Sequence, residues 1–208
     1  MPDGVPVLYL DDALIVVDKP AGLLSVPGRS ESLRDCAAAR VQARCTDALI
    51  VHRLDQATSG LLVFGRGAAA QRALSLAFAE RRVAKRYTAL VAGLPVPDSG
   101  SVDLPLAVDW PNRPRQQVDV LRGRPSLTHW RVLARDAAAG TTRMALEPVT
   151  GRSHQLRVHL LAIGHPILGD ALYAPQLSAS RLMLHASELT IPHPDDARPM
   201  HFRSAAPF

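Results

Sequence analysis

The chain has 208 residues, of which 47% are hydrophobic and 21% are charged, which is the composition of a globular protein rather than a disordered one. Its longest apolar run is Ala13 to Val17, far short of the about 20 residues that a membrane-spanning helix needs. No basic stretch leads into an apolar one at the start, and Cys36 and Cys45 lack the spacing of metal ligands. We therefore expect a protein of the reducing cytoplasm without a disulfide.

The formal net charge is +5, and of the 24 basic residues only Lys19 and Lys85 are lysines. Arginine's planar guanidinium suits phosphates and stacks on bases, so this composition favours a polyanionic partner. A GC-rich genome, which also enriches alanine and proline, is the alternative explanation for the arginine excess. The net positive charge is present under either explanation.

Hydrophobic periodicity predicts more strands than helices, mostly joined by short turns. In chain order, the predicted elements are strands at 7–10 and 13–19, a helix from 32 to about 44, strands at 48–53 and 60–65, a helix at 68–82, strands at 85–93, 117–121, 128–134 and 143–149, a helix from 153 to 163, and tail strands at 182–191 and 201–204. This order predicts one α+β domain, residues 1–208, built on a mixed, largely antiparallel β-sheet flanked by helices.

Three local signals set the predicted helix ends. Ser32, with Asp35 three residues later, predicts a capping box at the start of the first helix. Ser153 is the predicted cap of the last helix, and Gly164 follows the end of that helix as its C′ residue.

Two motifs suggest other chemistry but are incomplete. The segment 65–70 fits a dinucleotide-binding fingerprint, yet the acidic residue expected about 20 positions later is missing. Arg86 lies in that zone and could contact a 2′-phosphate, but no second βαβ unit follows, which disfavours a nicotinamide enzyme. His154 and His159 are five residues apart and do not share the helix face that a zinc site would use, so no metal is expected.

Two segments, 51–60 and 150–159, are dense in polar residues within apolar surroundings. The first carries Asp55 in the connection between two strands, where an aspartate can be either a turn-stabilising cap or a functional carboxylate. The second places Arg157 on a short helix, where it either pairs with a carboxylate or lies on a solvated face. Each residue taken alone favours the structural interpretation.

Taken together, the motifs HRLDQATSGL, KRY and TGRSHQLRVH occur in the order found in the RluA-type pseudouridine synthases, and the chain resembles that family over nearly its whole length. The segments DDALIVVDKPAGLLSVPGR and RLMLHA extend the resemblance. The segment VDLPLAVDWPNRPRQ and the compact length are similar to the branch that acts on both tRNA and large-subunit rRNA. The family's S4-type RNA-binding domain is not expected here.

The resemblance implies an isomerase that detaches a uracil base in RNA, rotates it and rejoins it through carbon, without a cofactor, a metal or a membrane. The implied partners are structured RNAs, namely a tRNA anticodon stem-loop and a 23S rRNA hairpin, and the implied state is a monomer. A non-catalytic RNA-binding or ribosome-assembly factor is the alternative. Both would have basic surfaces, but only an enzyme needs Asp55, Tyr87 and Arg157 together.

The resemblance also assigns roles to these residues. Asp55 is implied as the catalytic carboxylate, with Arg157 as the cation that pairs with it and keeps it ionised. Tyr87 is implied to pack on the target base and to serve in proton transfer. Leu182 and Leu184 are implied as walls of the pocket.

RNA contacts are expected from arginines outside this set. Arg53 matches the residue that fills the space left by the target base when it leaves its stack. Arg113 and Arg115 are candidate contacts to the RNA backbone. Two further basic clusters are weaker candidates for the same role: Arg122 with Arg124, and Arg81, Arg82, Lys85 and Arg86.

Overall fold

The computed structural model describes residues 4–208, which contain twelve strands, three α-helices and a 3₁₀ turn at Glu31–Leu33. The elements are β1 (Val7–Leu10), β2 (Leu14–Lys19), α1 (Ala37–Gln42), β3 (Ala48–Ile50), β4 (Ser59–Arg66), α2 (Gly67–Ala79), β5 (Ala84–Ala92), β6 (Ser99–Asp103), β7 (Leu106–Val108), β8 (Gln116–Val118), β9 (Leu127–Asp136), β10 (Thr141–Pro148), α3 (Gln155–Ala162), β11 (Leu184–Pro192) and β12 (Pro199–Arg203). Among the helices of residues 4–208, we find none with the length and hydropathy of a membrane-spanning segment.

Two compact units make up the described chain, one of residues 4–85 with 186–207 and one of residues 86–185 with 208. In the first unit, β2 pairs antiparallel with β1 and β4, while β3 pairs with β4 and β12 with β11. The core of this unit contains Leu74 of α2 and pairs of residues two apart on three strands. These pairs are Leu14 and Val16, Leu61 and Val63, and Leu189 and Ile191. Strand β4 is buried from Ser59 to Gly65, which explains its continuous apolar run.

In the second unit, β10 lies between β5 and β9, and β6 pairs with the other edge of β9, all antiparallel. Strands β7 and β8 form a separate two-stranded hairpin. A small core of Leu106, Val158 and Tyr173 joins this hairpin to α3. The α+β class with few helices and a largely antiparallel sheet is thus confirmed.

The predicted starts of two helices are wrong. Helix α1 begins at Ala37, and its N-cap is Cys36, whose Sγ accepts the amide hydrogen of Ala39 at 3.3 Å. Ser32 instead lies in the 3₁₀ turn, because the Gly28 amide bonds to the Leu33 carbonyl and holds residues 28–33 in a loop. Helix α3 is capped by His154 in a left-handed conformation with φ of 54°, not by Ser153.

Two predicted strands are shorter than expected. The strand predicted at 48–53 ends at Ile50, and the Leu54 amide beyond it donates to the Ser25 hydroxyl of a loop rather than to a neighbouring strand. The strand predicted at 117–121 ends at Val118, because the Asp119 carboxylate accepts the amide hydrogens of Leu121 and Arg122 and starts a turn. Gly164 has φ of +81° directly after α3, as expected for a C′ glycine.

Candidate active site

Asp55 lies in a connection between β3 and β4 whose backbone is fixed from both sides. The Ser25 hydroxyl donates to the Leu54 carbonyl at 2.7 Å and accepts the Leu54 amide hydrogen at 3.0 Å. On the other side, the amide of Gly22 donates to the Gln56 carbonyl, and the Gln56 side chain donates back to the Gly22 carbonyl. The residues before and after Asp55 are thus both held by the loop that follows β2, which places Asp55, a half-buried residue, on a rigid support.

Lys19 is the cation of this support and is fully buried. Its Nζ donates to the carbonyl oxygens of Pro20 at 2.9 Å, Leu23 at 2.7 Å and Gln56 at 3.2 Å. A buried ammonium group is tolerated only when its hydrogens are bonded, and here they draw the loop after β2 and the turn after Asp55 together. Lys19 is therefore a positioning residue for the Asp55 connection.

Replacing Lys19 with methionine is expected to lower the free energy of unfolding by about 2 kcal/mol or more, because buried carbonyls lose a charged donor. Turnover should also fall, since the turn after Asp55 loses one of its restraints. Urea unfolding and single-turnover kinetics check both effects. The matched control is Arg44→Met, which removes one positive charge from an exposed side chain of the same unit. Equal, small effects of both substitutions would contradict the role given to Lys19.

Gly60 explains how the strand leaving this connection can pack. Its φ is +112°, and a Cβ at this position would lie 2.4 Å from the carbonyl oxygen of Ala186. Strands β4 and β11 therefore approach each other at a point where only glycine fits. The approach aligns the start of β4, and with it the end of the Asp55 connection.

His52 anchors the other end of the connection inside the first unit. Its Nε2 accepts the amide hydrogen of Val63 at 3.2 Å, and its ring stacks on Phe78 with 4.5 Å between centroids. Because Nε2 is the acceptor, the imidazole is neutral. Burial, with a smaller contribution from the nearby Lys85 cation, lowers the pKa of His52 to about 3.

This pKa predicts a dependence of stability on acid. In the unfolded chain a histidine protonates near pH 6.5, whereas folded His52 stays neutral until about pH 3, so the unfolded state binds more protons between these values. Stability should hence be full above about pH 6.5 and fall as the pH is lowered, by at most about 1.4 kcal/mol per pH unit from this group.

His52→Gln, which retains an acceptor but does not titrate, should show a shallower fall between about pH 6.5 and pH 4.5. Burial also lowers the pKa of His159, which is present in both proteins. The relevant quantity is therefore the difference in unfolding free energy between the two proteins at each pH. Chemical denaturation at a series of pH values measures it. Parallel curves for the two proteins would show that His52 is not the titrating group.

Arg53 is exposed, two residues before Asp55. Within residues 4–208 no hydrogen bond or ion pair of its side chain is seen, so its guanidinium is available to a ligand. This placement fits the predicted role beside a flipped base, which stays a prediction.

Tyr87 and the two predicted pocket leucines belong to the second unit. Tyr87 is half-buried on β5, opposite Leu146 of β10. Leu182 and Leu184 are each 3% exposed; Leu184 is the first residue of β11, and Leu182 lies two residues before it. Their burial suits an apolar wall, but whether they face the target base stays a prediction.

Arg157 is 5% exposed on α3 and forms a bidentate ion pair with the buried Asp170. Its Nε lies 2.8 Å from one carboxylate oxygen of Asp170, and its Nη2 lies 2.7 Å from the other. The solvated-face interpretation of Arg157 is therefore excluded, and a carboxylate partner is present. The pairing of Arg157 with Asp55 stays a prediction.

Tyr173 lies against this ion pair and connects it to the β7–β8 hairpin. The Arg157 guanidinium stands 5.0 Å from the centroid of its ring, and the Arg115 guanidinium stands 5.3 Å from the same ring. The Tyr173 hydroxyl accepts the Gln116 amide hydrogen and shares a second hydrogen bond with His154 Nδ1, both at 2.7 Å. Burial raises the pKa of Tyr173, so the phenol stays neutral.

Arg113 and Arg115, the two hairpin residues that are predicted to contact the RNA backbone, have different surroundings. Arg113 is exposed, and its guanidinium stands 4.7 Å from the centroid of the Trp110 ring. Arg115 is half-buried against Tyr173, and its Nε is buried without a hydrogen-bond partner in the described structure. The exposure of Arg113 fits a contact with a phosphate, and the surroundings of Arg115 fit a role in holding the hairpin, but that either arginine contacts RNA stays a prediction.

In the structure, the residues of the two incomplete motifs take part in packing, hydrogen bonds or an ion pair. A Cβ on Gly65 would lie 2.5 Å from the Gln71 amide nitrogen, so this glycine serves the close contact of β4 with α2. Arg86, the candidate phosphate contact, donates to Glu147 at 2.7 Å. His159 is bonded to Thr128 and to the Leu104 carbonyl, and residues 4–208 contain no cluster suited to a metal ion.

Comparison with known proteins decides the family. A family model described as RNA pseudouridylate synthase matches residues 13–162, a range that includes residues of both units. The chain belongs to the RNA pseudouridylate synthase family. It is accordingly an isomerase that converts uridine to pseudouridine in RNA.

Members of this family from several organisms are similar over nearly their whole length. The dual-specificity RNA pseudouridine synthase RluA of Yersinia pestis is 51% identical over 97% of this chain and 99% of its own. The protein of the same name from Haemophilus influenzae is 48% identical over 97% of this chain and 93% of its own. Among solved structures, human RNA pseudouridylate synthase domain containing 1 has a TM-score of 0.84 at 29% identity, covering 100% of this chain and 86% of its own.

Sequence reasoning missed four residues that support predicted site residues within their own units: Lys19 and Ser25 in the first unit, and Asp170 and Tyr173 in the second. Lys19 and Ser25 bond to the backbone on either side of Asp55, and Asp170 and Tyr173 contact the Arg157 guanidinium. Lys19 carried the strongest available signal, as one of only two lysines in an arginine-rich chain. Asp170 could have been sought as the carboxylate that a helix-borne Arg157 requires.

Proposed function

We propose that this protein isomerises two kinds of uridine, one in a tRNA anticodon stem-loop and one in a 23S rRNA hairpin. The observation that carries the proposal is 51% identity over 97% of the chain to enzymes named as dual-specificity RNA pseudouridine synthases. Identity at this level over nearly the full length of both proteins supports a shared substrate range.

In the proposed reaction, the bond between the ribose and the base nitrogen breaks, and a bond from the ribose to a base carbon forms. The hydrogen on that carbon leaves to solvent, and the freed nitrogen takes up a proton, so atoms balance without a cofactor or an energy source. Asp55 is the proposed catalytic carboxylate, which either attacks an electron-poor carbon or stabilises positive charge on the sugar. The restraints from Ser25 and Lys19 on neighbouring backbone support this role.

Tyr87 and Arg157 complete the proposed machinery. Tyr87 would pack on the uracil and transfer a proton, and Arg157 would hold the ionised carboxylate of Asp55. The firm attachment of Arg157 to Asp170 supports a positioning role, because one carboxylate fixes the direction of the guanidinium plane. We further propose that the protein works as a cytoplasmic monomer.

Position-by-position pseudouridine mapping of tRNA and rRNA tests the substrate proposal. Cells that lack the gene should lose pseudouridine at one position of the anticodon stem-loop and at one position of 23S rRNA, and both should return when the gene is restored. If deletion leaves both RNAs unchanged, the dual substrate range is wrong. Loss in only one RNA would restrict the enzyme to that substrate.

Arg53→Ala is expected to impair turnover of a structured stem-loop while leaving the fold intact, because Arg53 is exposed. The missing guanidinium would otherwise offset part of the few kcal/mol that unstacking a base costs. A short single-stranded RNA, whose uridine is already unstacked, should be affected much less. Comparing kcat/KM on the two RNAs measures this, and equal losses would indicate a role in the chemistry instead.

A further inference from the structure

Trp110 is a large aromatic residue at the tip of the β7–β8 hairpin, and 68% of its surface is exposed. Leaving an indole in water forgoes one of the largest apolar burials that a side chain can make. An exposed tryptophan in a structured turn is consequently a candidate contact for a partner.

The turn that carries Trp110 is rigid. The Asp109 amide donates to the Arg115 carbonyl, and the Asn112 and Arg115 amides close two further bonds across the turn. The Asn112 side chain bonds to both carboxylate oxygens of Asp109, at 3.1 and 3.0 Å. Pro111 and Pro114 fix φ at two positions of the same turn. The indole is held in place before any partner arrives, which lowers the entropic cost of binding.

Charge at this turn favours a polyanion. Arg113 stands over the Trp110 ring at 4.7 Å, and no ion pair of Arg113 is seen within residues 4–208. The Asp109 carboxylate accepts from the Asn112 side chain, and within residues 4–208 it forms no ion pair with Arg113. Residues 109–124 together contain four arginines and two aspartates.

We propose that Trp110 and Arg113 form a stacking platform for an unpaired base of the substrate RNA, with Arg113 contacting the adjacent phosphate. Indole and guanidinium planes are both surfaces on which bases stack, and loops of structured RNA present unpaired bases. This proposal rests on RNA being the substrate and assigns to the hairpin the recognition of a loop rather than of a duplex.

The hairpin is also joined to the proposed machinery within the second unit. Gln116 bonds to the Tyr173 hydroxyl, and Arg115 stacks on the ring that also contacts Arg157. A base held at the Trp110–Arg113 platform is therefore held by a segment that packs against the Arg157–Asp170 ion pair.

Fluorescence tests the platform directly, because the chain contains two tryptophans and Trp130→Phe leaves Trp110 as the sole one. In an Asp55→Asn, Trp130→Phe protein, which binds without turnover, an anticodon stem-loop oligonucleotide should quench the emission of Trp110. A blunt duplex with the sequence of the stem should not. Circular dichroism confirms that the reporter protein is folded.

Binding measurements with matched variants of otherwise wild-type sequence complete the test. Trp110→Ala should weaken stem-loop binding about tenfold or more, whereas Trp110→Phe should retain most of the affinity. Leu121→Ala, which truncates another exposed apolar residue of the same unit, should have no effect. Arg113→Ala should lower the slope of log affinity against log salt by about one, whereas Trp110→Ala should leave that slope unchanged.

An abasic substitution at each loop nucleotide in turn identifies the stacked base. One substitution should weaken binding by the wild-type chain and have no further effect on Trp110→Ala. The proposal is overturned if emission is unquenched and Trp110→Ala binds the stem-loop as wild type does. It is also overturned if Trp110→Ala weakens duplex and stem-loop equally, or if it only dissociates a dimer. Quenching by an RNA that is never isomerised would instead count against the proposed substrate and leave the platform standing.

Discussion

Asp55→Asn is expected to reduce turnover by roughly four or more powers of ten, because no neighbouring carboxylate of the same motif can replace the missing charge. Asparagine has nearly the same shape and can still accept hydrogen bonds within the turn. The supports from Ser25 and Lys19 act on the backbone of Leu54 and Gln56, so they do not depend on the Asp55 charge. The fold should therefore survive, with a loss of stability of at most about 1–2 kcal/mol.

Measuring the RNA affinity of Asp55→Asn distinguishes a loss of catalysis from a loss of structure. Removing one negative charge does not weaken contacts to phosphates, so Asp55→Asn should bind a stem-loop at least as tightly as the wild type does. Single-turnover kinetics and a binding titration on the same preparation check both statements. A folded Asp55→Asn protein that still isomerises uridine at a near wild-type rate would exclude the catalytic role.

Arg157→Ala should have a different effect, since it lowers both stability and activity. The Asp170 carboxylate that it leaves behind is 2% exposed, and breaking a buried pair from one side typically costs about 3–5 kcal/mol. Turnover should fall as well, because the guanidinium is the proposed partner of Asp55. Urea unfolding monitored by circular dichroism gives the change in stability.

Two variants separate charge from geometry at this ion pair. Arg157→Lys retains the charge but cannot make the bidentate contact, so it should lie between wild type and Arg157→Ala in stability. Combining Arg157→Ala with Asp170→Asn should cost less than the sum of the two single changes, because the double variant buries no unpaired charge. Strict additivity, or a loss below about 1 kcal/mol for Arg157→Ala, would contradict a coupled buried pair.

Most strands could be predicted because their apolar residues recur at a spacing of two, or run continuously where both faces are buried, whereas β6 and β7 lie where no strand was predicted. The alternation around Leu14 and Val16 and the run at Leu61–Phe64 are examples, and both lie in β-strands of the first unit. The starts of α1 and α3 could not be predicted, because their N-caps are Cys36 and a left-handed His154, neither of which is among the preferred capping residues.

The site residues could be predicted from sequence motifs, but the residues that hold them in place were found only in the structure. Lys19 lies in a segment that resembles the family, but the resemblance assigned no role to this residue. Its three carbonyl partners lie up to 37 residues away in sequence. Asp170 follows a glycine in a loop, where an aspartate ordinarily caps a turn, and it does accept the amide hydrogens of Leu172 and Tyr173. Such dual use is invisible in sequence, because the long-range partner leaves no local pattern.

The most direct measurement of the central claim uses uridine tritiated at the base carbon that becomes bonded to ribose. The purified protein, without added metal or cofactor, is incubated with an anticodon stem-loop that contains this uridine. Isomerisation replaces the hydrogen on that carbon, so the predicted result is release of tritium to water by the wild type, with none above background for Asp55→Asn. Absence of release by the wild type, or equal release by the two proteins, would contradict an Asp55-dependent pseudouridine synthase.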